Sequence, residues 1–136
     1  MKYVGKKRKQ NIYNLNKKYS QTIKGQFLLN PSNTDRLTFS AVITNDNQII
    51  IIDNVSYEMF YEKLWKWIIR YDDHGGTENF HRHERISTED NSNIQVNNII
   101  EEKTKRKLLE WSIEDIKNNY LTYRANFCKR NRIDLY

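Results

Sequence analysis

Hydrophobic and polar positions alternate with a period of two through much of the chain before giving way to a helical period near the C-terminus. "RLTFSAVIT" places Leu37, Phe39, Ala41 and Ile43 on one face and Thr38, Ser40, Val42 and Thr44 on the other, which predicts a half-buried strand. "TIKGQFLLN" precedes it, and "NPSN", which holds the only proline, Pro31, supplies the turn between them. After the polar turn "NDN" (45–47), "QIIIID" predicts a buried strand that ends near Asp53-Asn54. "EKLWKWIIRYD" reads as a central or near-central strand, with Trp65, Trp67, Ile69 and Tyr71 on one face and Leu64, Lys66, Ile68 and Arg70 on the other. It delivers Asp72, Asp73 and His74 just past its end. "FHRHERI" alternates again, with His81, His83 and Arg85 opposite Phe80, Arg82, Glu84 and Ile86. "STEDNSN" is a polar loop, and "IQVNNII" is either one more strand or a connector.

The period then changes. Leu109, Ile113, Ile116, Tyr120, Tyr123 and Phe127 form one continuous apolar stripe of a C-terminal helix. Ser112 and Asp115 make an S-x-x-D start signal, with Trp111 and Ile116 placed as a hydrophobic staple, so the helix is expected to begin at Ser112, with Leu109 belonging to the segment before it. Lys129, Arg130 and Arg132 suit its C-terminal dipole. Strands followed by a helix predict an α+β fold: an antiparallel twisted sheet with the C-terminal helix packed on one face. A length of 136 residues fits one such domain, over 21–136, behind an arm at 1–20.

Charge sharpens that division. The net charge is +6, yet residues 1–24 carry eight basic side chains and no acidic one, leaving 15 basic and 17 acidic groups for the rest. The arm "GKKRKQNIYNLNKKY" interleaves Lys6, Lys7, Arg8, Lys9, Lys17 and Lys18 with Tyr13 and Tyr19. Cations for phosphates and aromatic faces for bases suit RNA or another single strand, although a solvated basic tail has the same composition. One cysteine, Cys128, excludes an intrachain disulfide and is expected on the helix surface. With no membrane-length apolar run and no secretory leader pattern, a cytoplasmic protein without a membrane partner is expected.

The candidate chemistry lies in "RYDDHGGTENFHRHE" (70–84), which contains all three histidines around the Gly75-Gly76 pair. His81 and His83 share a strand face about 7 Å apart along the chain. They suit an acid–base pair that cleaves RNA through its own 2′-hydroxyl, with Asp72 orienting one imidazole and Arg70, Arg82 or Arg85 meeting phosphate. That chemistry needs no cofactor. The alternative is a divalent metal held by Asp72, His74, His81 and His83, with Asp73 a further possible ligand. A polar turn with no site uses the same residue types.

Arg70-Tyr71-Asp72, the His81-Arg82-His83 element and the closing "SIEDIKNNYLTYRANF" together resemble the TumE-like toxins of toxin–antitoxin modules and neighbouring families, over roughly residues 36–127. Asp73, the "GTENF" insertion and the basic arm depart from that pattern. The resemblance implies a compact α+β protein and a toxin acting on RNA, with Arg70, Asp72, His81 and His83 as the positions of interest. The expected function is therefore a nucleic-acid-directed toxin, a metal-independent ribonuclease with an antitoxin as partner. Two alternatives remain: a phage or mobile-element protein that binds and inhibits a host nucleoprotein or defence complex, and a metal-dependent hydrolase.

Overall fold

The computed structural model describes residues 20–73, 80–97 and 104–134. Six strands follow one another in chain order across a single sheet: β1 (Ser20–Leu28), β2 (Asp35–Thr44), β3 (Ile49–Tyr61), β4 (Leu64–Asp72), β5 (His81–Arg85) and β6 (Asn93–Asn97). Every neighbouring pair is antiparallel. The one helix among the described residues, α1 (Lys105–Arg130), packs across β2, β3 and β4. This is the expected α+β architecture, and "IQVNNII" contributes the edge strand β6. The basic arm, including Lys6, Lys7, Arg8, Lys9, Lys17 and Lys18, lies outside the described residues, as does His74.

The core forms where the alternating apolar positions meet the helix stripe. Leu37, Val55, Tyr57, Ile69 and Tyr71 face Leu108, Leu109, Ile116 and Phe127. Apolar burial at about 25 cal/mol per Å² drives this assembly. Cys128 is buried at its margin, not on the helix surface, and burial pushes its thiol pKa up.

Two boundaries and one face assignment differ from expectation. The strand starting at "QIIIID" does not end at Asp53-Asn54. It runs on through "NVSYEMFY" because a bulge at Asp53 re-registers it: Ser40 pairs with Asn54, but Ala41 pairs with Ile52. A second bulge corrects the face assignment of β4. Tyr57 pairs with Ile69 and Glu58 with Trp67, so Ile68 is the extra residue and both isoleucines are buried. Trp65 and Trp67 consequently turn away from Ile69 and Tyr71, to the side opposite α1.

The helix also starts earlier than Ser112. Thr104 is the N-cap, its hydroxyl accepting from Lys107 N at 3.4 Å. Ser112 lies inside the helix and donates to Leu109 O at 2.9 Å. At the far end, Asn131 Nδ2 donates to Phe127 O at 2.9 Å and to Ile86 O at 3.2 Å, which ties the helix to the loop after β5.

Candidate functional site

The site grows out of the β4–β5 register. Asp72 pairs with His81 and Arg70 with His83, so strand alternation sends all four side chains to the face away from α1. Their neighbours Tyr71 and Arg82, also a register pair, face the helix. There Tyr71 stacks on Phe80 with ring centroids 5.6 Å apart and meets the edge of Trp111 at 5.7 Å. Tyr71 OH donates to Asp115, Tyr123 OH donates to the same carboxylate at 2.6 Å, and Arg82 Nη1 donates to Tyr123 OH at 3.3 Å. Burial first, then the bond to Asp115, raises the Tyr71 pKa and pushes that of Tyr123 up to about 12. This network fixes the backs of the two strands whose fronts carry the histidines.

On the front, three side chains converge. His81 Nε2 lies 3.1 Å from Asp72 Oδ1, His83 Nε2 lies 3.8 Å from Asp72 Oδ2, and the two Nε2 atoms are 2.9 Å apart. Asp72 and His81 are only 5% and 3% exposed, whereas His83 is half-buried. Asn93, on β6, sets the tautomer. Its Nδ2 donates to Asn91 O at 3.0 Å, leaving Oδ1 to accept from His83 Nδ1 at 2.8 Å. A neutral His83 thus carries its lone pair at Nε2, inside the cluster. Arg70 borders the cluster, and a cleft of about 350 Å³ lined by Ile51, Ile52, Asp53, Asn54, Arg70 and Asp72 opens beside it.

Other candidates go elsewhere. Arg82, expected to contact nucleic acid, points to the helix side, as the strand alternation requires. Arg85 is on the histidine face but is buried, with Nε donating to Ser87 O at 3.0 Å and Asp90 O at 3.1 Å; burial lowers its pKa. Its guanidinium clamps the β5–β6 turn. Asp73 is fully buried and structural: its backbone N–H donates to Ile52 O at 3.2 Å, Oδ1 accepts from Ile52 N at 3.2 Å, and Oδ2 pairs with Lys105 Nζ at 3.2 Å.

Sequence reasoning missed Asn93, whose role depends on pairing between β5 and β6. It also missed the extent of the polar face. The row Gln26, Thr38, Ser56, Arg70, His83 and Gln95 runs through register pairs across all six strands. Polar residues at alternate positions in every strand were the signal.

The cluster can act in two ways. As a metal-free pair, the imidazoles would have to flank a phosphate, base on the attacking side and acid on the leaving side. With their Nε2 atoms 2.9 Å apart, the two rings as arranged do not stand on opposite sides of a phosphorus. As ligands they are well placed. With metal–nitrogen bonds of about 2.05 Å, a 2.9 Å separation subtends about 90° at the ion, the angle of a facial two-histidine, one-carboxylate set. The described residues contain this one such group, Asp72, His81 and His83, with ligand atoms within 4.8 Å of one another.

Among the described residues no helix is long and apolar enough to cross a membrane. Neither a curated protein nor a solved structure matches the chain. One family does, over residues 16–133, a span that takes in the whole sheet and the helix: the chain belongs to the family described as Domain of unknown function (DUF7718).

Proposed function

We propose that the chain is a divalent-metal-dependent hydrolase of nucleic-acid phosphodiesters. The observation that carries this reading is the convergence of Asp72, His81 and His83, with His83 oriented by Asn93. A facial set leaves coordination positions open for water and a phosphoryl oxygen. A first-row divalent ion there would lower the pKa of bound water and draw off charge developing on the phosphoryl group. In the balanced reaction, water oxygen bonds to phosphorus, the phosphorus bond to the leaving sugar oxygen breaks, and the water supplies the proton that oxygen takes up. Arg70, next to His83 in the register, meets the phosphate as a fixed cation. The charge of the arm and the likeness to TumE-like toxins support RNA as the substrate and a cytoplasmic, toxin-like setting with an antitoxin partner.

The test is cleavage of labelled RNA and single-stranded DNA by wild type and by His81→Ala/His83→Ala, with EDTA and after adding back Mn²⁺ or Zn²⁺. The expected result is cleavage that stops with EDTA, returns with the ion, and is absent from the variant. Cleavage indifferent to EDTA but lost in the variant would overturn the metal centre and restore the metal-independent histidine pair. No cleavage under any condition would sink the hydrolase.

A further inference from the structure

We propose that the sheet face along β4, from Arg70 past Trp67 to Trp65 and Arg36, is a stacking platform that feeds a single-stranded nucleic acid to the Asp72–His81–His83 cluster. The proposal rests on the hydrolase reading for its purpose, but its evidence is separate. The bulge at Ile68 places both tryptophans on the side opposite α1, so they do not serve the core beneath the helix. Each carries an arginine over its ring. The Arg36 guanidinium is 4.2 Å from the Trp65 ring centroid, and that of Arg70 is 5.0 Å from the Trp67 centroid. Phe60 stands edge-on to Trp65 at 5.2 Å and is itself 41% exposed.

Successive outward positions on a strand are about 7 Å apart, so these groups form a line of aromatic and guanidinium surfaces leading to the site. Arg36 is paired with Glu58 at 2.6 Å, which locks it over the indole, while Arg70 stands beside the cluster as a cation for the backbone. Arg85, 5.5 Å from the Trp67 centroid, holds that ring in place. Flat cationic and aromatic surfaces recognise bases with free faces, which single strands offer and duplexes do not. The basic arm adds sequence-independent attraction for the same polymer.

The experiment measures binding of labelled single-stranded RNA, single-stranded DNA and a duplex of the same sequence to the full chain in EDTA. Under those conditions no metal contributes. The expected result is binding of single strands, about tenfold weaker binding of the duplex, and about a tenfold loss for single strands in Trp65→Ala. Melting curves establish that the variant is folded. A Trp111→Phe background, which silences the helix-side indole, supplies a second readout: single strands quench the emission of Trp65 and Trp67. Preference for RNA over DNA, or none, both fit and define the sugar requirement. Equal affinity for duplex, or affinity untouched by Trp65→Ala with no quenching, would overturn the platform. Affinity lost only when Lys6, Lys7, Arg8 and Lys9 are changed to Gln would also overturn it. Failure of the metal reading would leave this binding in place, and failure of the platform would leave Mn²⁺ affinity in place.

Discussion

The two faces of the sheet bury carboxylates by different means. On the helix side, Asp35 is fully buried and accepts from Tyr57 OH, from Asn30 Nδ2 at 2.8 Å and from Arg124 Nη1 at 3.2 Å. Asp115 takes two tyrosine hydroxyls, and Asp73 pairs with Lys105. Each of these partners donates a proton that it keeps at neutral pH, so each cluster has one arrangement. On the outer face, Asp72 meets two imidazoles, groups that can give up a proton or bind an ion instead. Both kinds of cluster sit on the same two strands, back to back at Tyr71–Arg82 and Asp72–His81. The helix side therefore specifies the fold, and the outer side keeps groups whose proton inventory can change.

The largest expected effect separates the two faces most sharply. Asp35→Ala leaves the buried Tyr57 hydroxyl and the half-buried Arg124 guanidinium without their carboxylate and should cost about 3–5 kcal/mol in urea unfolding. Asp72→Asn should leave stability within about 1 kcal/mol of wild type, since sites with reactive groups are not tuned for stability. It should nevertheless abolish Mn²⁺ binding measured by calorimetry. A loss at Asp72 as large as that at Asp35 would make the histidine cluster a structural one like its counterparts behind the sheet.

Asn93→Ala comes next. Its only tie to the cluster is the 2.8 Å bond that fixes the His83 ring. Removing an orienting partner of this kind typically weakens metal binding about 10–100-fold. The same change should barely move the melting temperature, because Asn93 is exposed at the start of an edge strand. Unchanged metal affinity would mean that His83 is not held by Asn93 in solution.

How much of this could be read from the chain depends on the range of the interactions. The face-sharing of His81 and His83 is local, fixed by strand alternation, and so was legible, as was the opposite orientation of Arg82. The convergence of Asp72 with them needed only the β4–β5 hairpin. The bulges at Asp53 and Ile68 were not legible, because a two-against-one register is decided by the partner strand. That one slip at Ile68 moved two tryptophans off the face they were expected to share with Ile69 and Tyr71 and onto the outer face. The helix start was misplaced because S-x-x-D reads the same at a cap and inside a helix. Here Asp115 accepts from Tyr71 on β4 and from Tyr123 two turns along the same helix, and Thr104 makes the cap. Asn93 could not be found without knowing that β6 pairs with β5.

A smaller effect tests the helix-side network through pH. The unfolded chain ionises its tyrosines near pH 10, whereas Tyr57 and Tyr71 are raised well above their ordinary value and Tyr123 is pushed up to about 12. Between pH 10 and 12 the unfolded state therefore binds fewer protons than the folded one, and stability falls as pH rises. Tyr123→Phe should flatten that alkaline slope, read as melting temperature against pH, because it removes one of the groups held neutral by the fold. It should leave the outer face's Mn²⁺ affinity unchanged at neutral pH, where the tyrosine is protonated in both states. If the slope is the same with and without Tyr123, the hydroxyl is not buried against Asp115 in solution. The contrast between a fixed back and an exchangeable front would then lose its best-defined member, since Tyr123 links Asp115 to Arg82 behind His81 and His83.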